Sequence, residues 1–271
     1  MSWDRIAELL ELAEAEAVWG YENAAPPSAV EMLGLASKRL GGGVVLSARN
    51  DVTKYWSKAL GFGFESPVTA DLVAEITGFY REQGALFATL QFAPAVLPPD
   101  WDSIREKEGL TEGGTWVKVA RLAGLVQSPE TELRIAEVGT AEAEQWASVL
   151  ARGFGMPEEG IAEMAAGVVG RTGWTAYGAW DGDELVAAAS LLITGQVAEF
   201  PGASTLPGHR GRGAQSALLA ARARQAAAVG AKWLSAETGK PEVEGANASL
   251  NNMLRTGFEI RYERQNWIWR P

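Results

Sequence analysis

The chain's 271 residues carry 34 acidic and 24 basic side chains, a formal net charge of −10, with one histidine and no cysteine. That balance argues against a nucleic-acid backbone as partner. The absent cysteines exclude disulfides, thiolate metal sites and a covalent thiol route, and a lone histidine excludes a multi-histidine metal centre, so no metal is expected.

In chain order, residues 1–19 read as an acidic amphipathic helix with Ile6, Leu9, Leu10 and Ala13 on one face. No basic segment leads into an apolar run there, so no secretory leader is expected. Pro26-Pro27 opens a second helix predicted to reach Leu40, where Gly41-Gly42-Gly43 ends it; Val44–Ala48 is a strand and Asp51–Leu60 a helix. After the turn-rich stretch 61–67, Thr69 caps a helix to Gln83, Gly84 stops it, and Ala85–Phe92 is a strand. Pro98-Pro99 opens a helix ending near Gly109-Leu110, and Thr115–Leu122 is a strand. Val126–Thr131 reads as a linker between residues 1–127 and 132–271. Beyond it come a strand (Leu133–Val138), two helices (Thr140–Ala151, Glu158–Val169) and a hairpin of Trp174–Trp180 with Glu184–Ile193 around Asp181-Gly182-Asp183. The longest apolar run, Leu185–Ile193 broken by Ser190, is too short to span a membrane, and the expectation is a soluble, cytoplasmic protein, monomer or homodimer.

Residues 197–229 carry the most chemistry: a strand, a basic glycine-rich turn, and a helix whose first turn is Gly213-Ala214-Gln215-Ser216. The first amides of a helix lack intrahelical partners and sit at the positive end of its dipole. Gly211 and Gly213 let the backbone converge its N–H groups on one point, and Arg210 and Arg212 add charge, so the turn suits a pyrophosphate. No lysine follows these glycines, as a Walker loop requires, and the dinucleotide pattern fails at Ser216.

Arg210-Gly211-Arg212-Gly213-Ala214-Gln215 resembles the Arg/Gln-x-x-Gly-x-Gly/Ala loop of the GNAT acyltransferase superfamily, departing where Gln215 replaces glycine or alanine. The following strand (Lys232–Glu237), loop, short helix (Asn247–Arg255), Gly257-Phe258 and final pair of strands ending in Trp267-Ile268-Trp269 resemble that family's C-terminal motif. The resemblance covers residues 132–271 and implies a mixed α/β GNAT fold binding acetyl-coenzyme A or another acyl-coenzyme A as co-substrate. By that resemblance the backbone groups of Ser204, Thr205 and Leu206 would pair with the pantetheine arm beside a bulge at Pro201-Gly202. Arg210, Gly211, Arg212, Gly213, Ala214, Gln215 and Ser216 would hold the pyrophosphate, and Ser249 and Asn252 would add polar contacts. The order of helix to Gly84, strand, short helix to Gly109-Leu110 and tryptophan-bearing strand repeats that of Gly230, Gly257-Phe258 and the C-terminal strands. Two tandem GNAT-like domains are therefore expected. The N-terminal copy is degenerate, since 61–67 holds no basic residue, and it would shape the substrate entrance.

A primary amine with a reference pKa of ~10.4 needs a proton acceptor before it can attack a thioester. The resemblance puts that base at Glu199; Glu237, at the end of the next strand, either faces the amine or is a solvated strand end. The family's usual acid, a tyrosine four residues before the glycine of Gly-Phe, is Met253 here, leaving Tyr262, Ser249, water or unassisted departure of the thiolate. The expected function is acyl transfer to a primary amine of a small molecule or peptide by direct attack; the alternative is a non-catalytic acyl-coenzyme A-binding or sensing protein.

Overall fold

Eleven strands of the computed structural model, which describes residues 3–127 and 129–271, hydrogen-bond into one sheet. The first half contributes helices α1 (Trp3–Asn23) and α2 (Pro27–Leu33), strands β1 (Leu35–Leu40), β2 (Gly43–Ala48) and β3 (Lys58–Leu60), then α3 (Ala70–Glu82), β4 (Ala88–Gln91), α4 (Trp101–Lys107) and β5 (Thr111–Leu122). The second contributes β6 (Arg134–Glu137), α5 (Ala143–Phe154), α6 (Ile161–Ala166), β7 (Trp174–Asp181), β8 (Glu184–Thr194), β9 (Val197–Thr205), α7 (Ala214–Ala228), β10 (Trp233–Gly239), α8 (Ala248–Arg255) and β11 (Glu259–Trp269).

Three local expectations fail for identifiable reasons. The helix from Pro27 ends at Leu33 because Gly34 adopts a left-handed C-cap (φ 62°), and Leu35–Leu40 pairs with β2 across the Gly41-Gly42 turn, where both residues have positive φ. Residues 51–57 are not helical. The Asp51 carboxylate accepts from the amides of Thr53, Tyr55 and Trp56, and this local bonding replaces a helical turn. The C-terminal pair of strands is one long strand, β11, with register shifts after Ile260 and Gln265.

The sheet order is β1-β2-β3-β4-β11-β5-β10-β9-β8-β7-β6. The repeated unit, helix–strand–short helix–strand, is present as α3–β4–α4–β5 and α7–β10–α8–β11. The last strand of each half has crossed over: β11 pairs with β4, and β5 pairs with β10. Residues 1–127 and 132–271 thus share a single sheet. Helices α1, α2, α5 and α6 pack on one face, and α3, α4, α7 and α8 on the other.

Helix α1 crosses the junction of the halves and buries more than its apolar stripe. Glu11 and Glu14 are each 1% exposed. Arg264 on β11 donates to Glu11 (2.6 Å) and Glu14 (2.7 Å), and Lys118 on β5 donates to Glu14 (2.6 Å). Four charges desolvated together need such mutual pairing, since each alone would cost several kcal/mol. The two crossed strands are therefore bound to one helix by ion pairs.

Candidate functional site

The site begins where β9 and β10 part. These parallel neighbours pair from Trp233↔Val197 to Ser235↔Glu199 and no further. There β9 bulges against β8: Leu192 faces Glu199 but Ser190 faces Gly202, so three steps of β9 oppose two of β8. Pro201, which has no amide hydrogen, lies in the bulge, in keeping with the expected position. Leu206 N donates to Val186 O, which fixes the alternation of the antiparallel ladder. Ser204 therefore spends its backbone groups on β8, while those of Ala203 and Thr205 face the opening.

A groove of about 530 Å³ runs from this wedge to the start of α7, lined by Ala203, Thr205, Gly211, Gly213, Gln215 and Ser216 among others. Gly211 (φ 79°) and Gly213 (φ 83°) take the left-handed conformation that the turn requires. No described residue accepts from the amides of Ala214, Gln215 or Ser216. The loop arginines are engaged elsewhere. Arg210 donates to Thr205 O (3.2 Å) and Gly153 O (3.0 Å), bracing the turn, and Arg212 is paired with Asp181 on the β7–β8 turn beside His209. What the turn presents to the groove is thus its amides and the positive end of the helix dipole.

Gln215, the departure from the family pattern, links two helices: its Nε2 donates to Ser249 Oγ (3.1 Å) and its Oε1 accepts from Asn252 (2.6 Å). Asn247 caps α8 through Leu250 N and ties it to Gly239 O. The Ser204 hydroxyl donates to the carbonyls of Val149 and Leu150, and Leu206 packs into the core. Of the backbone groups expected to meet the pantetheine arm, those of Ser204 are spent on β8, the Leu206 amide on Val186 O and the Leu206 carbonyl on His209 N. Gly153 allows α5 to lie this close, because a Cβ there would stand 2.3 Å from Ser204 Oγ.

Past Gln215 the groove continues into a cavity of about 260 Å³ that passes between the strands to the α1 side. Glu237 lines this cavity; Glu199 does not and is fully buried behind it. As a carboxylate, Glu199 would have no donor on either oxygen. Burial raises its pKa well above the usual range; Lys118 opposes this and Glu237 adds to it, so burial favours the neutral form. Burial, reinforced by Glu14, also raises Glu237, while Lys118 (3.4 Å) opposes it. Both carboxyls are thus raised by burial, and of the two only Glu237 faces the cavity. Lys58, buried over the Tyr55 ring at 3.5 Å, is lowered by burial to about 8.

Tyr262 is outside the cavity: its hydroxyl donates to Glu11 (2.8 Å) on the α1 side, so it is not placed to protonate a leaving thiolate. Met253 and Ser249 line the cavity instead. Strand alternation alone could not rank Glu199 against Glu237, because both point to the α1 face and their exposure depends on the bulge. The aromatic wall of Tyr21, Tyr55, Trp56 and Trp116, contributed by the first half, carried no motif by which the sequence could have revealed it.

The architecture is shared with solved structures. A GCN5-related N-acetyltransferase from Kribbella flavida aligns at 20% identity over 93% of this chain and 95% of that chain, with a TM-score of 0.62. A tandem GNAT protein from the clavulanic acid biosynthesis pathway aligns at 17% identity over 98% and 94%, with a TM-score of 0.57. A GCN5-related N-acetyltransferase from Sphaerobacter thermophilus aligns at 13% identity over 87% and 76%, with a TM-score of 0.59. No family model matches the sequence, and no curated protein matches it. The chain has the GNAT fold, in a two-part form comparable with a tandem GNAT protein. No described helix is long and apolar enough to cross a membrane.

Proposed function

We propose that this chain is an acyl-coenzyme A-dependent N-acyltransferase, moving an acetyl or other acyl group to a primary amine of a small molecule or peptide. The observation that carries this reading is the continuous passage from unpartnered helix amides, along the open edge of β9, to a cavity-facing carboxylate. In this reading residues 132–271 hold the co-substrate and 1–127 are a degenerate copy that walls the acceptor side.

Acyl-coenzyme A supplies an activated thioester. The amides of Ala214, Gln215 and Ser216 hold its pyrophosphate, with Gly211 and Gly213 keeping the approach clear. Backbone groups of Ala203 and the amide of Thr205 pair with the pantetheine arm as an added strand edge would. Glu237 takes the proton from the attacking amine, and Lys118, 3.4 Å away, holds Glu237 in place and favours its ionised form against burial. The new C–N bond replaces the C–S bond, and the Ser249 hydroxyl, whose oxygen accepts from Gln215, keeps its hydrogen for the departing sulfur.

Ser216→Glu tests the reading without disturbing the fold. Ser216 is the third residue of α7, where a glutamate favours the helix through capping and the dipole, yet the same carboxylate enters the anion site. Calorimetry is expected to show coenzyme A affinity falling by about 100-fold or more, given loss of the anion site to a fixed like charge, with no fall in melting temperature. Unchanged affinity would sink the proposal. Met253 in the cavity and Tyr262 outside it favour, as a second reading, a protein that binds acyl-coenzyme A without turnover. Thiol release with a broad amine panel separates the two.

A further inference from the structure

The cavity is divided by the sheet into two parts of different chemistry. On the α7 side the charged lining group is Arg222, whose Nε and Nη1 donate to Leu218 O and Ser190 O and whose guanidinium lies over the Phe200 ring at 4.4 Å. On the α1 side the one charged lining group is Glu237, which points with Lys118 and Glu14 towards α1. The wall around it is a chain of rings. Tyr21 meets Trp56 edge to face at 5.6 Å, Trp56 meets Tyr55 at 5.1 Å, and Tyr55 meets Trp116 at 6.1 Å. Met156 and Ile161 complete it. The Tyr21 hydroxyl is bonded to Ser190 Oγ (2.6 Å), so its ring is what remains for a ligand.

An acyl chain would need no carboxylate, and a polyol or polyamine would strip water from groups that this wall cannot pair. Behind the lining, Lys58 lies over Tyr55 (3.5 Å) and near Trp116 (5.1 Å), and Lys118 pairs with Glu237. The cavity itself presents ring surface and one carboxylate, which suit a cationic head on an apolar body. At about 260 Å³ the cavity admits a single ring or a short branched chain and not an oligosaccharide. We infer that the acceptor is a primary amine carried on an uncharged, apolar body of about one aromatic ring, its nitrogen at Glu237 and its body against Tyr21, Trp56 and Trp116. This rests on the acyltransfer reading for its product, but not for its binding.

Calorimetry with 2-phenylethylamine, with and without coenzyme A, tests it against putrescine, kanamycin and 2-phenylethanol. The expected result is binding of 2-phenylethylamine at least ~10-fold tighter than of the other three, the size of effect that one buried ring or one paired charge supplies. Trp116→Ala, at a half-buried position, is expected to lose ~10-fold or more of that affinity while coenzyme A binds as before. Equal or tighter binding of putrescine or kanamycin would overturn the inference. So would an affinity for longer acyl-coenzyme A thioesters that disappears in Trp116→Ala, since that would make the wall an acyl-chain site. If 2-phenylethylamine binds but coenzyme A does not, the acyltransfer reading falls and the amine site stands. If coenzyme A binds and no amine preference is seen, the amine site falls alone.

Discussion

Replacing Glu237 by glutamine is expected to lower kcat by roughly 10²-fold or more, the usual contribution of a general base, with acyl-coenzyme A affinity nearly unchanged. The loss should shrink as pH rises, because more of the amine then arrives deprotonated. Glu199→Gln is the informative partner. Burial favours the neutral form of Glu199, and a glutamine amide keeps the shape of that form without a proton to titrate. Its kcat is expected to fall by less than ~10-fold, with the acidic limb of the pH profile moved, as befits a residue acting through its neighbour. In the wild type that limb should lie above the ordinary carboxylate range, since burial and then Glu14 raise Glu237 against Lys118. Thiol release from pH 6 to pH 10 checks all three profiles. A severe Glu199→Gln with a mild Glu237→Gln would return the base role to Glu199.

Arg264→Met is expected to destabilise the protein by about 3–5 kcal/mol, the range for removing one partner of a buried ion pair, or roughly 10 °C in Tm for a chain of this size. The variant leaves Glu11 without its 2.6 Å partner and Glu14 with Lys118 alone. Arg39→Ala, which breaks a half-exposed pair with Glu16 on the same helix, is the control and should cost well under ~1 kcal/mol. The acid limit follows from the same cluster. Burial would raise the Glu14 carboxyl, but Arg264 and then Lys118 outweigh it and hold it below its ordinary value. A carboxyl depressed on folding contributes stability above its unfolded pKa, and that stability is lost as pH falls below it. Thermal stability should therefore fall steadily below about pH 4.5, and less steeply in Arg264→Met. Equal Tm values for Arg264→Met and Arg39→Ala would show that the cluster does not hold α1 to the crossed strands.

What the sequence determined by itself is local. Gly211 and Gly213 before an alanine-rich helix specify a turn whose amides converge, because only glycine takes those backbone angles at little cost. Asp181-Gly182 specifies the β7–β8 hairpin, and Pro201 in a strand specifies a bulge, each through the chemistry of one or two residues. The repeated order of elements was legible for the same reason. Gly84, Gly109, Gly230 and Gly257 all end helical segments with positive φ.

Only the tertiary structure decided which strands meet. The crossing of β5 and β11 depends on contacts between distant segments, which no periodicity encodes, and it alone explains why Glu11 and Glu14 are buried with Lys118 and Arg264 and not solvated. The same long-range register decided the site. Leu35–Leu40 became a strand because β2 was there to pair with it, overriding a weak helical preference. Arg212, which the loop pattern aims at a phosphate, was taken by Asp181 from a neighbouring turn. Glu199 and Glu237, indistinguishable by alternation, were separated by a one-residue bulge that buries the first and leaves the second in the cavity. Side-chain chemistry is written in the chain, but its exposure is set by how far apart two parallel strands are held.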